Sequence, residues 1–316
     1  MNVTGSRILA VGHYQPAREL TNEALSAMVD TSDEWIQSRV GIRSRRIADT
    51  ESVADMATAA AGKALAASGL AASDVDLVTV ATCSVLDRCP NTAARVAARL
   101  GIHAPAAYDV NTACSGFSYA LATADHAIRA GAARNALVIG AEKLSDLTDW
   151  TDRTTCVLFG DAAGAAVITA TLGDEPPGIG PVLWGSAPDR GDVLRIEGWR
   201  PYIKQDGQAV FRWATTELAT FARQTCERAG VDPSEIAAFV AHQANARIID
   251  GIARRLDMPQ AVIAKDIVES GNTSAASVPL ALSKMVERRE IPSGAPVLLF
   301  GFGGGLTYAG QVVRCP

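Results

Sequence analysis

Three side chains in this 316-residue chain have types and settings suited to nucleophilic chemistry: Cys114 in NTACSGF, His242 in FVAHQANARII and Asn272 in ESGNTSAAS. Cys114 falls at a predicted strand-to-helix turn, where the positive end of the helix dipole favours the attacking thiolate. Its neighbours Ala113, Ser115 and Gly116 leave room for a substrate. His242 follows a predicted buried strand, the place where α/β sheets put functional groups. Asn272 opens a predicted helix. Each also has a plainer account: an inert buried thiol, a hydrogen-bonded structural histidine, and a helix cap. A fourth element is GFGGGLTYAG, residues 301–310, whose glycines expose backbone N–H groups after a buried strand. Such a loop suits one donor of an oxyanion hole, with the Cys114 N–H as the other, or it is simply a flexible turn. It lacks the following helix and ribose-binding acid of a dinucleotide fingerprint.

The elements that must position these residues occur twice. ALAASGLAASDVDLVTVATCS, from Ala64, aligns with TCERAGVDPSEIAAFVAHQAN, from Thr225. Gly69 then pairs with Gly230, Ser73 with Ser234, Asp74 with Glu235 and Val75 with Ile236. Seventy-one residues beyond each glycine, ALVIG ends at Gly140 and VLLFG at Gly301. Between them, AAYDVNTACSGF faces VIAKDIVESGNTSAA, which sets the Cys114 and Asn272 turns in corresponding places within one residue. The same alignment puts Ala81 opposite His242, so the strand itself does not require a histidine. Three ordered matches at nearly equal spacing indicate a duplication. Alternating helices and strands in each half predict an α/β protein with mostly parallel sheets. SGFSYALATADHAI and TSAASVPLALSKMV are apolar on most faces, which predicts buried helices between the halves and an α/β/α/β/α body. The halves divide as residues 1–172 and 173–316, at the Gly- and Pro-rich TLGDEPPGIGPV.

Composition narrows the function classes. A hydrophobic fraction of 48% and a charged fraction of 20% belong to a folded globular chain. A net charge of −5 gives no global pull toward nucleic acid, so any basic site is a local patch. No segment reads as a signal peptide or membrane span, which predicts a cytoplasmic protein. Six scattered cysteines without a CxxC pair predict neither a disulfide framework nor a zinc site.

Taken together, DVNTACSGF, HQANARII, ESGNTSAAS and GFGGG, in this order, resemble β-ketoacyl-acyl carrier protein synthase III of the thiolase superfamily. TSDEWIQSRVGIRSRRIA and TDRTTCVLFGDAAGAAVI extend the resemblance over essentially the whole chain. It implies a thiolase-like fold, a homodimer, and decarboxylative condensation of an acyl-CoA with malonyl-acyl carrier protein, without metal or cofactor. Cys114 would carry the acyl group, His242 and Asn272 would serve decarboxylation, and Gly304 would be the second oxyanion donor. Trp35, Arg39 and Arg153 match CoA-binding positions. Cys83, Cys89, Leu144, Leu158, Phe159 and Phe302 match the acyl pocket, Cys89 reaching that of the neighbouring subunit. Arg212, Gln243, Arg247, Arg254 and Arg255 match the carrier-protein surface. Arg247 and Arg254, a heptad apart, share a helix face, a local positive patch or merely a solvated one. Cys89 in DRCPNTAA departs from the Phe or Thr often found there, which suggests acyl groups longer or more branched than acetyl.

The rival readings differ at single residues. Biosynthetic thiolases carry a second cysteine in the C-terminal Gly-rich motif, and GFGGG has none. Elongating ketosynthases have a second histidine where Asn272 stands. A relative that passes its acyl group to an alcohol or amine without decarboxylation is the main alternative. A cysteine hydrolase shares the Cys, His, Asn order but not the duplication. A non-catalytic carrier-protein-binding subunit has no need of all three side chains.

Overall fold

In the computed structural model, which describes residues 3–87, 89–198 and 202–316, the strands form two five-stranded sheets of one design. The first contains β1 (Val3–Tyr14), β2 (Leu77–Ala81), β3 (Ala106–Val110), β4 (Asn135–Lys143) and β5 (Asp161–Leu172), in the order β1-β5-β4-β2-β3. The second contains β6 (Leu183–Ser186), β7 (Ala238–Ala241), β8 (Val262–Ile263), β9 (Pro296–Gly303) and β10 (Thr307–Arg314), in the order β6-β10-β9-β7-β8. Each sheet follows the other's order strand for strand. Each has parallel pairings at β2–β3 and β2–β4, or β7–β8 and β7–β9, and antiparallel ones at the other two interfaces. The sheets are therefore evenly mixed, where mostly parallel ones were predicted. A parallel pair needs a crossover of about a dozen residues or more, and β9 meets β10 after only Gly304, Gly305 and Leu306.

Helices complete five layers. α1 (Val53–Ser68) and α2 (Thr92–Arg99) cover the outer face of the first sheet. α4 (Leu218–Ala229) and α5 (Ala246–Leu256) cover the outer face of the second. α3 (Gly116–Arg129) and α6 (Ser277–Glu287) lie between the sheets and share one apolar core with both. The glycines that open the internal match are helix stops: Gly69 ends α1 at φ 74° and Gly230 ends α4 at φ 67°, a left-handed conformation that glycine takes without penalty. No helix among the described residues is long and apolar enough to cross a membrane.

Gly140 and Gly301 have another purpose. A Cβ on Gly140 would collide with the Ala275 carbonyl, from the opposite half. A Cβ on Gly301 would lie 2.8 Å from Ser118 Oγ and 3.0 Å from Ser115 Cα, again across the halves. Each central strand thus carries a glycine where the other half's helix-start turn presses against it. Gly140→Ala should lower stability by about 1–3 kcal/mol through overpacking. Gly62 in α1 meets only Leu100 Cδ2, at 3.5 Å, so Gly62→Ala should raise stability by about 0.5–1 kcal/mol. Urea unfolding of the two variants checks this opposition in sign; equal effects would mean that the contact at Gly140 relaxes freely.

Candidate functional site

Two single 3₁₀ turns meet at the centre of the molecule, Ala113–Ser115 leading into α3 and Ser274–Ala276 leading into α6. Gly69 and Gly230 are 161 residues apart, as are Gly140 and Gly301. The turns keep that spacing: Ala113 has φ 46° and Ser274 φ 47°. The partner of Cys114 is therefore Ala275, and the partner of Asn272 is Asn111. This corrects the expectation that Cys114 and Asn272 fall within one residue of each other in the duplication. Left-handed backbone at Ala or Ser costs roughly 1–3 kcal/mol and persists only where packing on all sides enforces it.

Cys114 is buried and lies in the wall of a cavity of 420 Å³. Burial pushes its thiol up to about 11. A hydrogen bond with the Ser274 side chain opposes that shift, the Glu142 carboxylate adds to it, and the N–H groups of Gly304 and of Cys114 itself oppose it again. The expected thiolate at a helix start is thus overruled by desolvation, and the resting side chain is a thiol. The two N–H groups proposed for an oxyanion hole are the same two that reach the sulfur. The loop comes close because Gly303 has no side chain; a Cβ there would sit 2.5 Å from Cys114 Cβ.

His242 directly follows β7 and is 1% exposed. Burial lowers its pKa to about 3, so the imidazole is neutral at ordinary pH. Nδ1 lies 2.7 Å from Ser277 Oγ, which also accepts the Gln243 N–H at 3.3 Å. A hydroxyl so engaged has its own proton to give to Nδ1, and in that tautomer Nε2 carries the imidazole proton. Phe302 packs on the ring with centroids 5.1 Å apart. Asn272 accepts the Ser274 N–H at 2.9 Å through Oδ1, and its backbone is bridged to Leu158 and Gly160. Its side chain does cap the turn, yet no acceptor for Nδ2 is recorded among the described residues. Capping and donation use different atoms, so the two readings of Asn272 do not compete.

The cavity is lined by Cys83, Leu144 and Phe159 from the expected acyl pocket, together with Leu194, Ile196 and Ile203. The last three belong to a small antiparallel pair, Leu194–Ile196 with Ile203–Gln205, that sequence did not single out. Three expected lining residues are elsewhere. Phe302 is buried against His242, Trp213 and Phe300. Leu158 supports the cavity from behind, its carbonyl accepting the Asn272 N–H at 2.8 Å. Cys89 is exposed and outside the cavity of its own chain. His242 and Asn272 are not in the lining; Asn272 is bridged to Phe159, which is.

Two surface sites flank this centre. On the short helix Asp33–Val40, the half-buried Trp35 receives the Arg153 guanidinium 4.8 Å from its ring centroid, and Arg39 is exposed. Arg247, Arg254 and Arg255 on α5 line a cleft of 440 Å³ with Phe211 and Thr215, while Arg212 is exposed on the adjacent helix Gly207–Thr216. Gln243 does not belong to this surface and is a correction to the sequence reading. It is 1% exposed, donates to the Ala241 and Ala264 carbonyls at 2.7 and 3.3 Å, and accepts the Ile267 N–H at 3.0 Å. It ties β7 to the strand-end loops, and it follows His242 because that backbone needs partners.

Glu142, Ser274 and Ser277 were not singled out from sequence. Glu142 had a signal: it is the one acid in NALVIGAEK and follows the apolar run ALVIGA. Ser274 had one too, as the hydroxyl standing where the first half has Ala113.

A family model described as 3-oxoacyl-[acyl-carrier-protein (ACP)] synthase III matches residues 108–188, and the corresponding C-terminal model matches residues 226–315. The chain is 66% identical over 313 residues to beta-ketoacyl-[acyl-carrier-protein] synthase III 4 of Streptomyces coelicolor, covering 99% of each. It is 64% identical to synthase III 2 of Streptomyces avermitilis, covering 99% of this chain and 100% of that one. The crystal structure of the priming β-ketosynthase from the R1128 polyketide biosynthetic pathway superposes with a TM-score of 0.97 at 40% identity, covering 100% of this chain and 97% of the other. The synthase III of Aquifex aeolicus superposes at 0.93 and 41% identity, covering 98% and 100%.

If Gln243 acts only on the backbone, Gln243→Ala should lower stability by about 1–3 kcal/mol for the groups it strands. The folded fraction should bind acyl carrier protein with unchanged affinity, measured by titration. A weakened affinity at unchanged stability would restore Gln243 to the docking surface.

Proposed function

Because the chain belongs to the 3-oxoacyl-[acyl-carrier-protein] synthase III family, we propose that it condenses an acyl-CoA starter with malonyl-acyl carrier protein through an acyl group held on Cys114. The carrying observation is the setting of Cys114: a nucleophile in a mostly apolar cavity wall, with the Gly304 and Cys114 N–H groups at its sulfur. Those donors suit the oxyanion of a thioester under attack. A cysteine nucleophile divides the carbon–carbon condensation into acylation and condensation, each easier than the whole.

In the second step, loss of carbon dioxide leaves negative charge on the malonyl thioester oxygen. Two neutral donors are available, His242 Nε2–H and Asn272 Nδ2–H. Their neutrality matters, since a preorganised dipole stabilises a developing anion without first being paired with one. The free Nδ2 of Asn272 also favours this reading over a non-decarboxylating acyltransferase, which has no enolate to hold.

The remaining assignments follow the same reading. Trp35, Arg39 and Arg153 receive the CoA adenine and phosphates by stacking and charge. Arg212, Arg247, Arg254 and Arg255 receive the acidic carrier protein, a local positive site on a chain of net charge −5. Cys83, Leu144 and Phe159 bound the acyl chain. β3 is bonded to β2 alone and leaves an open sheet edge, and Asn91 Nδ2 ties the Cys89 segment to it at the Ala107 carbonyl, 3.0 Å away. A homodimer joined at that edge would bring Cys89 to the neighbouring cavity, where a residue smaller than Phe admits longer or branched acyl groups. Acyl-CoA is a substrate, no cofactor is needed, and the setting is cytoplasmic. The chain starts fatty acid or polyketide synthesis.

Asn272→Asp keeps the shape and sets an anion against the developing enolate. It should still be acylated by acyl-CoA but lose about 10²- to 10³-fold in carbon dioxide release from malonyl-acyl carrier protein. Condensation near the wild-type rate would reduce Asn272 to a cap. Arg254→Glu should raise KM for malonyl-acyl carrier protein, leave acylation nearly unchanged, and lose its effect as salt rises. Equal damage to both half-reactions would refute the separate docking site.

A further inference from the structure

The mechanism so far leaves one proton without a destination. Acylation must remove the proton of a thiol that burial holds at about 11, and His242, lowered to about 3, is a poor acceptor. Behind Cys114 lies a buried acid that the family motifs did not bring forward. Glu142, at the end of β4, accepts from Ser274 Oγ at 2.9 Å, Ser84 Oγ at 2.5 Å, Thr82 Oγ1 at 3.1 Å, the Cys83 N–H at 3.1 Å and the Cys83 thiol at 3.3 Å. Burial raises the Glu142 pKa, and the hydrogen bonds from these partners oppose that shift in favour of the carboxylate. No arginine, lysine or histidine is among them. Ser274 bonds this anion and lines the same cavity as Cys114, on the 3₁₀ turn that packs against the Cys114 turn.

We propose that Ser274 and Glu142 form the proton relay for acylation of Cys114, Ser274 touching the reacting sulfur and Glu142 acting through it. The inference rests on the reading that Cys114 is the acylated residue. As Cys114 Sγ bonds to the thioester carbon, its proton passes to Ser274 Oγ, and the serine's own proton passes to Glu142 Oε1. The carbon–sulfur bond of the acyl-CoA then breaks, and its electron pair leaves on the CoA sulfur. Ser274 faces the cavity, so it returns a proton to that thiolate and is itself reprotonated by Glu142. The relay ends as it began, with Cys114 acylated and CoA released as a thiol.

The duplication supplies an internal control. Ala113 occupies the place of Ser274 in the other half, at φ 46° against 47°. The strained turn is thus built equally well on alanine, and the hydroxyl is present only in the half that faces the thiol. The other charged or titratable groups around the centre are the Cys83 thiol on the same carboxylate, neutral His242, and Arg195 in the cavity wall, which is paired with Glu197 at 3.0 Å. None of them offers a second base.

The test is single-turnover acylation by acetyl-CoA, followed as the mass of the Cys114 adduct between pH 7 and 9. Wild-type protein should acylate at a nearly constant rate, because the relay and not ionisation of the thiol to water sets it, and Cys114, held at about 11, stays protonated across that window. Ser274→Ala should be slower by about 10²-fold or more, and its residual rate should climb about tenfold per pH unit, since only thiolate formed by ionisation to water remains reactive. Glu142→Gln should match it, and the double variant should be no slower than either single one. Should Glu142→Gln fail to fold, Ser274→Ala alone decides. A Ser274→Ala rate within about twofold of wild type, or a pH slope equal to that of wild type, would overturn the relay. If wild-type Cys114 takes no acyl group at all, the failure lies with the acylation reading and not with the relay.

Discussion

Everything at the centre depends on one close packing, that of the Ala113–Ser115 and Ser274–Ala276 turns against each other and against the opposite half's central strand. Two helix starts approach a sheet this nearly only where the strand has no side chain, and Gly140 and Gly301 supply those gaps. The left-handed conformations of Ala113 and Ser274 are held because the turns are gripped from both sides. The same contact orders the surroundings: it fixes α3 and α6 between the sheets, and it carries the Gly303–Gly304 corner onto Cys114.

Close packing also sets the electrostatics. Both turns are largely buried, so each ionisable group there is pushed toward its neutral form. Cys114 moves up and His242 moves down, both chiefly by desolvation. Glu142 is driven the same way, its pKa raised by desolvation, while hydroxyl, thiol and backbone donors oppose the shift in place of a counter-charge. A centre of neutral donors around a buried thiol suits chemistry in which negative charge appears only in transit.

The duplication explains how one backbone came to hold several roles. Cys114 faces Ala275, Asn272 faces Asn111, His242 faces Ala81, and Ser274 faces Ala113, each at the common spacing of 161 residues. The scaffold is symmetric; Cys114, His242 and Ser274 break the symmetry, while Asn272 keeps the residue type of its counterpart. This is why so much was legible in sequence. The repeated glycines are helix stops and close-contact positions, which no other residue fills cheaply, so they mark the fold in any reading of the chain. Cys114, His242 and Asn272 stood out as reactive types at strand ends and helix starts. Glu142 and Ser274 did not, because the contact that joins them spans 132 residues of sequence. Gln243 and Phe302 lie away from the surface and the cavity wall expected for them, because the resemblance fixes a position in the chain and not which way a side chain turns at the end of a strand. The lining residues Leu194, Ile196 and Ile203 lie between β6 and α4, outside the segments that align in the duplication, so the repeat gave no hint of them.

The two surface sites are coupled through the scaffold as well. The helix bearing Trp35 and Arg39 ends at Gly41, where a Cβ would sit 2.5 Å from Ala246 Cβ in the first turn of α5. Asn245, which caps α5, also donates to the Arg39 carbonyl at 3.2 Å. The helix assigned to CoA and the helix assigned to the carrier protein are thus joined at their ends. A two-step enzyme of this kind must bring two thioesters in succession to one site, the first with its carbonyl carbon at the sulfur and the second with its α-carbon at the acyl carbon that the sulfur then holds. Docking surfaces that moved independently would give two registers. Surfaces built on abutting helices, one of which starts four residues after His242, give one.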